Sequence, residues 1–337
     1  MIPRNSIVPV FVPHYGCPNN CVFCNQNRIS GAPGPATPQT VRDAIENAAA
    51  LTPNGTKRQL AFYGGSFTAI PEREQTALLE AAQPYLRDGT LSSIRLSTRP
   101  DAISDRTLER LKNYGVTVVE LGAQSMCDEV LELSGRGHTA REVEDASRLV
   151  KAHGLSLILQ MMTGLPGDSP ERSIETAKRM IALKPDGVRI YPTVIVRDTV
   201  LCDMWRAGQY REHSVEDAVE LCAVLASMFD EAGIPIIRLG LNPTEDLSGG
   251  DALAGAYHPA LGELVRSRMM LKRAEALLEG IEPGSGVTLG VNRSDVSKMT
   301  GQHRCNIEAL SERFGLRYLR IRECNVNNGD IKLLSLE

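Results

Sequence analysis

Short β-type runs alternating with amphipathic helices constrain this chain most. Neighbouring parallel strands need a crossover of about a dozen residues or more, and a helix supplies it. Six such runs stand out: Ile7–His14, Gln59–Tyr63, Ser93–Ser97, Val116–Leu121, Leu155–Met161 and Gly187–Tyr191, with a seventh at Ile234–Leu239. They are nearly continuous in apolar character, as strands covered on both faces are. Helix starts lie between them. Thr37 precedes Pro38, Thr139 with Glu142 makes a capping-box pattern, and Ser169-Pro170 and Ser214 with Asp217 open two more. Periodicity does not separate an open sheet from a barrel, so that choice rests on the motifs at the strand ends.

After about Leu241 the texture changes. A Gly-rich turn at Leu247–Gly250 is followed by a helix from about Leu261 to Glu279 and a break at Pro283–Gly286. Two short strands, Val287–Val291 and Arg317–Ile321, flank a helix near Asn306–Phe314. This predicts a core domain over 1–240 and a second domain over 241–337, which 337 residues with 42% hydrophobic and 23% charged content can build. A net charge of −4 demands neither nucleic acid nor membrane. Arg266, Arg268, Lys272, Arg273, Arg313, Arg317, Arg320 and Arg322 in the tail read either as a phosphate-tracking patch or, with Glu308, Glu312 and Glu323 interleaved, as a solvated mixed surface. No leader-like start and no run of roughly 18 apolar residues is found, so a cytoplasmic protein without a membrane partner is expected.

Three of the eight cysteines fall in Cys17-Pro-Asn-Asn-Cys21-Val-Phe-Cys24, directly after the first strand. Thiolates suit zinc and iron–sulfur clusters alike. A structural zinc site wants four closed ligands, commonly in pairs; here there are three, with no pair downstream, and His14 is the nearest fourth. Three cysteines leave one iron of a four-iron cube open to a substrate-like ligand. Cys202, Cys222, Cys305 and Cys324 have no metal-like spacing and read as packing residues. Cys127 follows the fourth strand's loop and is considered as a hydrogen-atom donor or acceptor, beside the default reading of a small buried hydrophobe. His138 and His153 read as structural, and Tyr191 as a substrate contact or a core plug.

The segment CPNNCVFC resembles the C-x3-C-x2-C motif of the radical S-adenosylmethionine (SAM) superfamily. Four further stretches follow in that family's order after strands two to five: Tyr63-Gly64-Gly65-Ser66-Phe67, Ser97-Thr98-Arg99-Pro100-Asp101, Gly122-Ala123-Gln124-Ser125 and Gly164-Leu165-Pro166-Gly167-Asp168. With Gly135-Arg136-Gly137-His138 they are similar to the branch of the elongator catalytic subunit, the methylthiotransferases and the oxygen-independent coproporphyrinogen oxidases. The likeness covers roughly residues 7–240. It implies an α/β fold, a partial (β/α)6 TIM-like radical SAM barrel with a small C-terminal α/β extension. It also implies a [4Fe–4S] cluster on Cys17, Cys21 and Cys24. SAM would be held through its amino group at Gly64, Gly65 and Ser66, its ribose at Gln124, and its carboxylate at Arg136, with Arg99, Ser125, Gly164 and Leu165 completing the set. An external flavodoxin- or ferredoxin-type donor would drive reductive cleavage of SAM to a 5′-deoxyadenosyl radical.

The resemblance offers tRNA as a substrate on the elongator side and a tetrapyrrole or other small molecule on the oxidase side, and assigns no catalytic side chain. Several departures matter. Ser66 stands where an acidic residue is common, the first cysteine gap is compact, no acetyltransferase sequence follows residue 240, and no second cysteine triplet is present. A non-catalytic metal-binding module that recognises RNA and an electron-transfer protein are the readings from other classes.

Overall fold

The computed structural model describes residues 6–13, 15–17, 21–25, 36–53, 55–241 and 247–337. Seven strands form one parallel sheet in sequence order: β1 (Ser6–Phe11), β2 (Arg58–Tyr63), β3 (Ser93–Thr98), β4 (Val116–Gln124), β5 (Ser156–Thr163), β6 (Gly187–Pro192) and, past a short strand, β8 (Ile236–Leu239). The sheet curls into a half-barrel. The expected strands are present, and the seventh run joins them at the edge; His14, and with it a fourth-ligand role, lies outside the described residues.

Crossovers are helical: α1 (Pro38–Leu51), α2 (Glu72–Arg87), α3 (Asp105–Asn113), α4 (Asp128–Leu133) with α5 (Ala140–Ala152), and α6 (Pro170–Ala182). Thr37, Thr139 and Ser169 cap their helices by accepting backbone N–H bonds, and Glu142 closes the box at α5. The face toward these helices is apolar, with Leu60, Phe62, Leu96, Leu121, Leu159 and Ile190 all at 0% exposure. Each such side chain contributes about 1.5 to 3 kcal/mol by leaving water.

The opposite face differs from the sequence expectation of continuous apolar strands. At alternate positions it carries Tyr63, Arg95, Glu120, Gln160 and Arg189, one from each of β2 to β6. Glu120 is fully buried. Its carboxylate accepts from Arg95 at 2.9 Å and from Tyr63 and Gln160 at 3.1 Å each, and pairs with Arg189 at 2.7 Å. The Tyr191 hydroxyl accepts from Arg189 at 3.4 Å, so this tyrosine belongs to the polar lining rather than to the apolar core.

β7 (Val194–Val196) pairs antiparallel with β9 (Ala252–Gly255), and α7 (Val200–Arg206) and α8 (Val215–Glu231) lie between β7 and β8 in sequence. Met1–Ser214 with Phe229–Tyr257 form one compact unit, and Val215–Met228 with His258–Glu337 form the other. β9 belongs to the same unit as its partner β7. The second unit holds α9 (Leu261–Leu278) and a sheet ordered β11-β10-β12, with β10 (Gly286–Val291) parallel to β11 (Tyr318–Glu323) and antiparallel to β12 (Ile331–Leu336). α10 (Val296–Thr300) and α11 (Cys305–Arg313) connect β10 to β11. Val287, Leu289 and Val291 pack on Ala274, Leu278 and Leu310. Arg268 and Lys272 both pair with Glu220, which removes them from any free basic patch. No helix among the described residues is long and apolar enough to cross a membrane.

Candidate active site

Because the seven strands are parallel, the turns that follow them share one edge, where α/β barrels place their chemistry. The loops after β1 and β2 interlock there. The Ser66 amide donates to the Tyr15 carbonyl at 2.9 Å and the Val12 amide to the Tyr63 carbonyl at 2.7 Å. A Cβ on Gly65 would lie 2.2 Å from the Val12 oxygen and 2.5 Å from the Tyr15 oxygen, and one on Gly16 would lie 2.3 Å from the Ser66 oxygen. Only glycine permits this approach, so Cys17 is carried on a loop seated on the Gly64-Gly65 turn.

The far arm of the cysteine loop is held separately. The Val22 amide donates to the Ser134 carbonyl at 3.1 Å, its carbonyl accepts from the Leu201 amide at 2.8 Å, and Val22 and Phe23 pack on Ile195, Leu201 and Cys202. The Cys24 amide closes a turn onto the Cys21 carbonyl at 3.0 Å. Burial and the charge of Cys21 push the Cys17 thiol up, while Arg136 and Arg99 pull it down.

Arg136 and Gln124 converge beside these thiols. Arg136 is 8% exposed and donates to the Cys21 sulfur at 3.1 Å and to the Gly122 carbonyl at 2.6 Å. A Cβ on Gly122 would meet Gln124 Nε2 at 3.0 Å and an Arg136 terminal nitrogen at 3.3 Å, so both side chains lie over this glycine. Pairing between β4 and β5 slips between Leu121 and Gln124, and Gln124 sits at φ 66°, a left-handed conformation disfavoured for a non-glycine residue. Its buried Oε1 has no hydrogen-bond partner among the described residues. A buried amide oxygen without a donor is costly, by about 1 to 3 kcal/mol, and marks a place for a ligand donor.

The other expected site residues make contacts within the protein. Arg99 forks onto Asp101, with both contacts at 2.9 Å, and donates to the Arg136 carbonyl at 2.7 Å; it holds the backbone of Arg136 in place. The Ser66 hydroxyl is shared with Thr98 at 3.1 Å and accepts the Arg99 amide at 3.2 Å, tying β2's turn to β3's. The Ser125 hydroxyl turns to Thr176 at 3.3 Å and accepts the Cys127 amide at 3.1 Å. Gly164, at φ 74°, accepts from the Tyr210 hydroxyl at 2.5 Å, and its amide donates to Asp168 at 2.8 Å; Leu165 is buried. Reasoning from sequence missed Gly122 as the platform for Gln124 and Arg136, and Glu120 as the hub of the barrel interior. The single arginine within each of the otherwise uncharged runs β3 and β6 was the available signal for the second.

No group of three or more His, Cys, Asp or Glu side chains converges on a single point among the described residues. The donor set nevertheless fits an iron–sulfur cluster with a bound amino acid: soft thiols on one loop, a guanidinium against one of them, and an amide oxygen awaiting a donor.

A parallel half-barrel with a three-cysteine loop at its mouth, and with ligand-seeking groups on the same edge, is the architecture of a cofactor-dependent enzyme. Residues 11–180 match the Radical SAM superfamily model and residues 185–270 the Radical_SAM C-terminal domain. The chain belongs to the radical SAM superfamily and is a radical SAM enzyme. Membership implies an iron–sulfur cluster and SAM as cofactors. Human Elongator complex protein 3 is 29% identical over 248 residues, covering 68% of this chain and 44% of its own length. The tRNA uridine(34) acetyltransferase of Methanocaldococcus infernus is 32% identical over 60% of this chain and 38% of its own. The chain thus spans less than half the length of these relatives. Among solved structures, the N-terminally truncated M. infernus Elp3 superposes with TM-score 0.64 at 25% identity, over 81% of this chain and 64% of that one. The Escherichia coli coproporphyrinogen III oxidase HemN, a radical SAM enzyme, gives 0.51 at 19% identity over 68% of this chain and 54% of that one, a likeness of fold.

Proposed function

We propose that Cys17, Cys21 and Cys24 hold a [4Fe–4S] cluster that binds and reductively cleaves SAM, and that the enzyme acts on a nucleoside of tRNA. The convergence of Gln124 and Arg136 on Gly122 beside Cys21 carries the first part. When bound, the cluster supplies the electron that converts SAM to methionine and a radical able to take a hydrogen atom from substrate. The protein's own groups bind and orient. The planar fork of Arg136 suits the SAM carboxylate, Gln124 Oε1 suits a ribose hydroxyl, and the backbone of Gly64 and Gly65 suits the amino group. Arg99 is a positioning residue for Arg136, and Ser66, Ser125, Gly164 and Leu165 shape the turns around the cofactor.

Likeness to a tRNA uridine(34) acetyltransferase supports tRNA as the substrate. A flavodoxin- or ferredoxin-type protein is the electron donor in this reading, and a reducing cytoplasm suits an oxygen-labile cluster with free thiols. Anaerobic reconstitution tests it. We expect about four irons per chain and 5′-deoxyadenosine on addition of dithionite and SAM; a chain that takes up zinc alone and leaves SAM intact overturns the cofactor assignment. A tRNA nucleoside profile that does not change when the gene is deleted overturns the substrate.

A further inference from the structure

Residues 286–336 lie beyond residue 270, where the second family match ends. β10 leads into α10, the four-residue turn Gly301-Gln302-His303-Arg304, α11 and β11, and the two strands pair in parallel with β11 at the sheet edge. A strand-helix-turn-helix-strand unit with a glycine-led turn between its helices is the arrangement of KH modules, whose GXXG turn clamps the backbone of single-stranded nucleic acid. The last place of the turn departs from that pattern, with Arg304 instead of glycine. Arg304 sits at φ 67° and His303 at φ 52°, the left-handed region that glycine takes freely.

The surrounding structure enforces this turn. A Cβ on Gly301 would lie 2.6 Å from the Cys305 sulfur and 2.9 Å from the Asn306 nitrogen. Buried Asn306 donates to the Ser267 hydroxyl at 3.0 Å and the Lys298 carbonyl at 3.1 Å. Gln302, His303 and Arg304 are meanwhile exposed.

Charge is segregated to the same module. Residues 286–336 hold eight Lys and Arg against five Asp and Glu in a chain of net charge −4. Lys298 pairs with Asp295 and Arg313 with Glu275, at 2.6 Å each. Arg293, Arg304, Arg320 and Arg322 are exposed and have no acidic partner among the described residues. Arg320 lies 4.6 Å from the ring centre of Tyr318 on edge strand β11, which leaves a flat cation and an aromatic together at the surface.

We propose that this module docks single-stranded RNA, with the Gly301–Arg304 turn receiving phosphates and edge strand β11, bearing Arg320 and Arg322, lining the path of the strand. The proposal rests on the reading of tRNA as substrate and adds the surface that holds it. Fluorescence anisotropy of the full-length holoenzyme with a labelled oligouridylate of about ten nucleotides, and with a duplex RNA of equal length, tests it. The double variant Gln302→Asp, His303→Asp adds two negative charges at exposed positions where aspartate tolerates the backbone. Lys57→Glu makes the same change of charge in the first unit. We expect the double variant, with wild-type circular dichroism and iron content, to bind oligouridylate at least tenfold more weakly, Lys57→Glu to bind as wild type, and duplex RNA to bind poorly. Arg304→Gln should reduce the salt slope by about 0.7, one phosphate contact. Equal loss in the double variant and Lys57→Glu, no loss in either, or a preference for duplex overturns the docking surface and leaves the substrate reading standing. A wild-type enzyme that binds neither oligouridylate nor tRNA overturns both.

Discussion

Arg136 does its work through the shape of its head group. One terminal nitrogen meets the Cys21 sulfur at 3.1 Å while the other holds the Gly122 carbonyl at 2.6 Å, a span that a lysine ammonium does not cover. Arg136→Lys should therefore retain iron but lose roughly tenfold in SAM affinity, about 1.4 kcal/mol, by equilibrium binding. His138, two residues on, is 5% exposed with one ring nitrogen 3.2 Å from the Ala123 carbonyl. Burial, reinforced by the charge of Arg136, pulls its pKa down from 6.5 to about 4. The folded state thus binds fewer protons than the unfolded chain between these values, so this residue's contribution is complete above pH 6.5 and is lost as the pH falls toward 4. It amounts to about 3 kcal/mol. Denaturant unfolding across that window should show an acid decline that His138→Gln flattens; equal slopes in both proteins would refute it.

At the scale of elements, two glycines in the site do different jobs. Gly65 lets two loop backbones touch, and a Cβ there meets oxygens at 2.2 and 2.5 Å that belong to the main chain. Gly65→Ala should cost about 3 kcal/mol by overpacking and reduce iron loading with it. A Cβ on Gly122 meets two side-chain ends most closely, at 3.0 and 3.3 Å, and the Thr98 carbonyl only at an ordinary contact distance of 3.6 Å. Gly122→Ala should leave the melting temperature near wild type and weaken SAM binding, because Gln124 and Arg136 have to shift. Parallel melts and SAM titrations separate the two effects. Helix starts were legible because a cap is local: Thr139 and Glu142 are neighbours in sequence before they are neighbours in space. β12 was not legible. Its positions alternate between half-buried and exposed, but Leu334 and Leu336 stand at exposed positions and Ser335 at a half-buried one, so residue type does not follow the period of two.

Across the whole first unit, Glu120 joins five strands through one carboxylate. Arg95 and Arg189 are 14% and 13% exposed at their side chains, so neither is well hydrated without it. Glu120→Leu should destabilise the protein by about 3 to 5 kcal/mol, the cost of leaving partly buried cations unpaired. A denaturant midpoint within experimental error of wild type would show that water replaces the carboxylate. The same network pushes the Tyr63 hydroxyl up to about 12, through burial and the neighbouring Glu120, so Tyr63 stays protonated at neutral pH and donates to Glu120.

Order along the chain was enough to establish a parallel α/β arrangement, the three-cysteine loop after its first strand, and the sequence of motifs at the strand ends, and the resemblance those motifs carry implied the half-barrel. Strand propensity, helix caps and cysteine spacing are properties of neighbouring residues, and the topology rules for parallel strands do the rest. Tertiary structure decided which partners within the protein those motif side chains take. The Arg99 guanidinium reaches the Arg136 carbonyl, and the Ser66 and Ser125 hydroxyls reach Thr98 and Thr176, contacts distant in sequence that hold the edge together. It also decided which cations stay free. Arg268 and Lys272 are distant in sequence from Glu220 yet paired with it, whereas Arg304, Arg320 and Arg322 remain exposed without an acidic partner among the described residues. Pairing depends on which side chains folding brings within a few ångströms, and no local pattern in the chain encodes that.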